Sequence, residues 1–218
     1  MIRPVSIVPA ILSNDKQEYR DQVERINSFT RRVQIDVTDG VFAPSPTLDI
    51  TTIWWPNNWE ADLHLMIQKP SEYLDTILKL NPALCILHAE AEEDLLPIFA
   101  KLKEAGIKTG VALLPSTYPG NVKQYIAEAD HVLVFAGNLG TQGAQADLMQ
   151  MEKIPLIRNM KPEVEIGWDG GANISNIRAL AHADLDVINV GSAIALSPNP
   201  GETFQELVAE IDKNGVVL

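Results

Sequence analysis

VQIDVTDGVFAP, residues 33–44, has the apolar frame of a buried β-strand running into a turn, yet it carries Asp36 and Asp39. Side chains alternate between the two faces of a strand, so Gln34, Asp36 and Thr38 share one face. Carboxylates in such a frame need a reason, and the reason depends on where the strand sits in the fold.

Comparable runs rich in Val and Ile recur at 5–12, 32–38, 60–66, 83–90, 107–114, 131–137, 163–170 and 186–192. Between most of them, apolar spacing predicts helices over 15–29, 70–81, 92–106, 121–129, 174–183 and 203–215. The intervals after the second and sixth strands carry the weakest helical pattern. Alternating strands and helices, with near-continuous apolar strands, predict a parallel sheet covered by helices. Eight such units in 218 residues suit a compact (β/α)8 TIM barrel formed as one domain over 1–218, although a doubly wound open sheet has the same local signature.

The chain carries a formal net charge of −12 and no Lys/Arg stripe able to neutralise a row of phosphates, so nucleic acid is not an expected partner. It has neither a long apolar span nor a leader pattern, so no membrane partner and a cytoplasmic location are expected. The single cysteine, Cys85, lies in the apolar run ALCILH and reads as a small buried hydrophobe. An acidic chain can still hold a small phosphate ester if backbone N–H groups supply the local positive potential.

In a barrel, reactive groups gather at the C-terminal strand ends. There the sequence offers Asp36, then His64 with Met66 on the same face, then His88 with Glu90, then Asp169. Two carboxylates facing one another across a substrate suit proton transfer to and from carbon on opposite sides, which inverts a stereocentre. The resulting enediolate calls for a stabilising charge, and Asp36, His64 and Asp169 form a plausible ligand set for a divalent metal. Glycine-rich turns follow the last three strands: GNLGTQG (137–143), WDGGANIS (168–175) and VGSAI (190–194). Glycine lets backbone N–H groups approach an anion closely, which fits a phosphate.

The pieces PAILSND (9–15), IDVTDGVFAP (35–44), DLHLMIQKPSEYL (62–74), LHAEA (87–91), GVALLPST (110–117), WDGGANISNI (168–177) and VGSAI (190–194), in this order and spacing, resemble the ribulose-phosphate 3-epimerase family. The resemblance implies a barrel of the ribulose-phosphate-binding type that interconverts ketopentose phosphates epimeric at C3, with two aspartates as acid and base around a divalent metal. Carried over, Asp36 is the acceptor and Asp169 the donor, their roles swapping with direction. His64 is a metal ligand beside Asp36 and Asp169. Ser13, His64, Met66, Gly140, Gly143, Gly170, Gly171, Gly191 and Ser192 form the substrate and phosphate site. The partner implied is a small sugar phosphate, and a homo-oligomer is expected.

Several positions depart from that pattern. Gln34 stands where the family has a histidine ligand, Ala10 where it has a serine touching substrate, and Thr38 where it has a methionine lining the site. The turn after strand six reads NLGTQGAQ, and Trp168 replaces a smaller apolar residue. Gln34 has three readings: an amide-oxygen ligand, a bystander to a three-ligand ion with water in the fourth position, or a hydrogen-bond donor in a metal-free site. The ion could be Zn, Fe, Mn or Mg. Two competing functions remain open at this level. One is a Schiff-base aldolase, which needs a lysine near the mouth where strand six has none. The other is a catalytically drifted, metal-free sugar-phosphate binder. Trp54, Trp55 and Trp59 belong either to a subunit interface or to packing beneath the loop after strand two.

Overall fold

A computed structural model of the chain describes residues 5–141 and 143–211. Gln142 of the glycine-rich turn and residues 212–215 of the last expected helix lie outside that range.

The described residues form a closed barrel of eight strands in sequence order: β1 Ser6–Ile11, β2 Arg32–Thr38, β3 Glu60–Met66, β4 Leu84–His88, β5 Lys108–Leu113, β6 His131–Phe135, β7 Glu165–Asp169 and β8 Val187–Val190. All eight pairings are parallel, including the β1–β8 pairing that closes the ring. Closure excludes the open doubly wound sheet.

The helices are α1 Lys16–Ile26, α2 Leu74–Leu80, α3 Leu96–Glu104, α4 Lys123–Glu128, α5 Lys153–Met160, α6 Ile177–Ala181, α7 Ser192–Ala195 and α8 Pro200–Ile211. α1 begins where the Asp15 carboxylate accepts hydrogen bonds from the backbone N–H groups of Gln17 and Glu18. It buries Tyr19, Gln22, Val23 and Ile26 against the barrel. α5 is a helix in a stretch where the sequence pattern predicts none. Its Pro155 stands in the first turn, where a missing N–H and a fixed φ cost nothing.

Strand alternation sorts the side chains. Val33, Ile35 and Val37 face outward into the main core with Tyr19, Val23 and Ile26. Leu84, Ile86, Ala112 and Leu133 form a separate cluster inside the barrel. At its N-terminal end, Arg32 donates to Asp62 at 2.7 Å and to both Glu165 oxygens at 2.8 and 2.7 Å, while His131 meets Glu165 at 2.7 Å. Burial works to raise the Glu165 pKa, but the hydrogen bonds from Arg32 and His131 outweigh it and hold the carboxylate ionised.

Of the tryptophans after β2, Trp59 is buried and donates to the Asn27 side chain at 2.8 Å, Trp55 packs against the core, and Trp54 is exposed with its ring edge against Tyr19. No described helix is long and apolar enough to cross a membrane.

Candidate functional site

Register sets the site. β2 and β3 align Asp36 with His64, β1 and β2 align Ala10 with Gln34, and β6 and β7 align Phe135 with Asp169. The inward faces of β2, β3 and β7 therefore converge near the C-terminal end.

There the Gln34 amide nitrogen donates to Asp36 Oδ1 and Asp169 Oδ2, both at 2.8 Å. His64 Nδ1 lies 2.9 Å from Asp36 Oδ1 and 3.4 Å from Asp169 Oδ2. Burial, followed by the charge of Asp169, pushes the Asp36 pKa above the carboxylate range, and the hydrogen bonds from His64 and Gln34 only partly offset this. Burial would lower the His64 pKa, yet hydrogen bonds to Asp169 and Asp36 outweigh it and raise the value to about 9.

Behind His64, its Nε2 meets His88 Nε2 at 2.9 Å, and His88 Nδ1 lies 3.4 Å from Glu90. Glu90 in turn accepts from the Leu114 N–H at 3.0 Å. Burial drives His88 down to about 4, so it is neutral and accepts from the His64 N–H. The chain Asp36–His64–His88–Glu90 spans three neighbouring strands and the turn after β4.

The Asp36, His64 and Asp169 ligand atoms lie within 4.8 Å of one another. Two carboxylates and an imidazole form a donor set that suits Zn, Fe or Mn, with Mg favoured less by the nitrogen. Gln34 Oε1 is buried without a hydrogen-bond partner, so a half-turn of this amide would offer the carboxylate cluster an oxygen ligand in place of its N–H. The residues present therefore fit a divalent ion.

Asp36 and Asp169 form part of the wall of a cavity at the barrel mouth, together with Met66, Gly140, Gly143, Gly170, Gly171, Gly191 and Ser192. His64 and Gln34 lie beneath the two carboxylates, fully buried. Ser13 lines a neighbouring depression with Glu18 and Thr47, which shares Leu12 and Gly140 with the cavity. Its hydroxyl donates to Glu18 at 2.6 Å and accepts from the Asp15 N–H at 3.1 Å, at the start of α1. No lysine is among the described residues lining the main cavity.

The rim requires glycine. Gly170 and Gly171 have φ of 116° and 68°. A Cβ on Gly170 would lie 2.2 Å from the Gly137 nitrogen, and one on Gly171 would lie 2.2 Å from the Ala146 nitrogen. The turns after β6 and β7 thus pack backbone to backbone.

Two departures from the family pattern lie away from the cavity. Trp168 points outward into the core, fully buried, and its indole N–H donates to the Gly170 carbonyl at 3.0 Å, bracing the rim from behind. Thr38 ties down the loop after β2: its hydroxyl donates to the Ser45 carbonyl, and the Thr47 N–H donates to it at 3.0 Å. Asp39 shapes the start of that loop, accepting from Val41 and Phe42 at 2.8 and 2.7 Å.

The cavity also holds Asn189, which no sequence motif singles out. Asn189 lies within the apolar strand VINV, is 2% exposed, lines the cavity and leaves Oδ1 unpaired. Its signal is an amide on the inward period of an otherwise aliphatic strand.

Residues 6–195 match the ribulose-phosphate 3 epimerase family. A ribulose-phosphate 3-epimerase of Helicobacter pylori is 27% identical over 197 residues, covering 87% of this chain and 90% of its own. One of Schizosaccharomyces pombe is 27% identical over 208 residues, covering 92% and 91%. Among solved structures, a tryptophan synthase of Mycobacterium tuberculosis superposes with a TM-score of 0.71 at 12% identity, covering 97% of this chain and 94% of the other, a likeness of fold alone.

Proposed function

The chain belongs to the ribulose-phosphate 3-epimerase family, and on that premise we propose that it epimerises a ketose phosphate at C3, interconverting D-ribulose 5-phosphate and D-xylulose 5-phosphate or a close analogue. The observation that carries the reading is the pair of carboxylates, Asp36 and Asp169, both held at 2.8 Å by one amide in the wall of a cavity rimmed by glycine turns.

The phosphate rests against the backbone of Gly140, Gly143, Gly170, Gly171, Gly191 and Ser192. This places C3 between the carboxylates. Asp36 in its ionised form takes the C3 proton as Asp169 in its acid form delivers one to the opposite face, and the roles exchange in the reverse direction. Met66 covers the apolar side of the sugar.

Asp36, His64 and Asp169, with the Gln34 oxygen after rotation, would hold a divalent ion. When bound, it supplies positive charge to the enediolate oxygens. His64 keeps its orientation through the Nε2 hydrogen bond to His88.

A second reading, a metal-free sugar-phosphate binder without turnover, is favoured by the Gln34 N–H groups already satisfying both carboxylates. Assays on purified protein decide between the two. The proposal expects conversion of D-ribulose 5-phosphate to be lost by roughly 10³-fold or more in Asp36→Asn and in Asp169→Asn. Binding without conversion by the native chain selects the second reading.

A further inference from the structure

Asn189 presents a polar group that the fold does not use. It lies on β8, whose other residues are Val187, Ile188 and Val190, and it is buried among them with Oδ1 unpaired. An aliphatic side chain would suit this strand better, since an unmet amide oxygen in a barrel interior destabilises the fold. The side chain lines the same cavity as Asp36 and Asp169. On β1, Val8 pairs in register with Asn189 and Ala10 lines the cavity beyond it, and neither offers a polar atom beyond its backbone. The floor between β1 and β8 therefore has one side-chain polar group, the Asn189 amide.

The position of that amide names its ligand. Gly191 and Asn189 share a strand face, two residues apart, so Asn189 lies roughly 6–7 Å deeper along the strand than the turn against which the phosphate rests. In a ketopentose 5-phosphate with C3 between Asp36 and Asp169, the carbon between the reacting centre and the phosphate arm is C4. We propose that Asn189 accepts a hydrogen bond from the C4 hydroxyl and is thereby the residue that reads the C4 configuration of the sugar. This rests on the epimerase reading for the placement of the substrate. Asn189 is a specificity residue in this account and takes no part in proton transfer.

The test compares the native chain with Asn189→Leu, which keeps the shape and removes the amide, and with Asn189→Val as a second variant should the leucine fail to fold. Each is assayed for kcat/KM on D-ribulose 5-phosphate and on its 4-deoxy analogue, and for equilibrium binding of D-ribitol 5-phosphate, its 4-deoxy counterpart and inorganic phosphate. The native chain is expected to favour the hydroxyl-bearing member of each pair by roughly 10- to 100-fold. The variant is expected to bring that ratio close to one while its affinity for inorganic phosphate stays unchanged. Equal losses on both members, or a native chain indifferent to the C4 hydroxyl, would overturn the proposal. Because the binding arm needs no turnover, discrimination without epimerisation would sink the epimerase reading and leave the role of Asn189 standing.

Discussion

The Nε2 atoms of His64 and His88 face one another at 2.9 Å inside the barrel, so one ring must donate and the other accept. With His64 raised to about 9 and His88 lowered to about 4, His64 is the donor at neutral pH and carries protons on both nitrogens. A metal can bind His64 Nδ1 only after expelling the proton directed at Asp36. Titrating Mn²⁺ or Zn²⁺ into the metal-free protein at pH 7.5 should release about one proton per ion, and affinity should climb roughly tenfold per pH unit until about pH 9. Calorimetry in two buffers of different ionisation enthalpy reads the proton count, and a count near zero would contradict this protonation state.

The same rings set opposite pH trends in the stability of the metal-free protein. The raised His64 value adds stability that is complete below the unfolded value of about 6.5 and disappears as pH climbs through about 9. The lowered His88 value adds stability present above about 6.5 and lost as pH falls toward 4. His88→Gln should therefore flatten the acid side of a denaturation-versus-pH curve and leave the alkaline side in place.

Gln34 separates the two carboxylates with N–H donors at 2.8 Å. Replacing it with leucine leaves the pair facing one another with less to stabilise their charge. The acid limb of the kcat/KM profile should move to higher pH by about one unit, and turnover should fall by roughly 10²-fold. An unmoved acid limb would show that the amide does not set the proton balance. Gln34→His supplies an imidazole in place of the amide and should tighten metal binding, measured by chelator competition.

Gly171→Ala would place a Cβ 2.2 Å from the Ala146 nitrogen at a φ of 68°. The turns after β6 and β7 would have to part, at a cost of about 1–3 kcal/mol. Inorganic phosphate binding should weaken by at least about tenfold, while metal affinity changes little. Equal phosphate affinity in the variant would remove these turns from the phosphate site.

At the opposite end of the barrel, Arg32→Met would strip Asp62, which is 4% exposed, of its charged partner at 2.7 Å. The expected loss is about 2–4 kcal/mol in chemical denaturation, less than for a fully buried pair because Arg32 itself is a quarter exposed. KM for the sugar phosphate should not move, since none of Arg32, Asp62, His131 and Glu165 lines the cavity.

How far this architecture can be read without coordinates differs by residue. The eight strands are legible because each is an apolar run bounded by turn residues, and the period of two correctly turns Asp36 and His64 inward. Applied to 165–169, the same period turns Trp168 outward, which makes it a brace for Gly170 and not a wall of the cavity. α5 is obscured by Pro155 and by a preceding 3-10 turn at Leu148–Glu152 that breaks the helical spacing. The His64–His88 contact depends on register between β3 and β4, where His64 pairs with Ile86, and no local pattern encodes that offset. Asn189 escaped because a single amide in VINV does not disturb a strand assignment. Ser13 reads as substrate-binding by motif, yet its hydroxyl is committed to Glu18 and the start of α1.

The central claim is that Asp36 and Asp169 exchange a proton with C3 of a ketose phosphate from opposite sides. Incubating the metal-supplemented protein with D-ribulose 5-phosphate in D₂O and following the sugar by proton NMR tests it most directly. The account predicts D-xylulose 5-phosphate carrying deuterium at C3, with both product and label lost in Asp36→Asn. A native chain that binds the sugar phosphate yet forms no xylulose 5-phosphate and places no deuterium at C3 would contradict it.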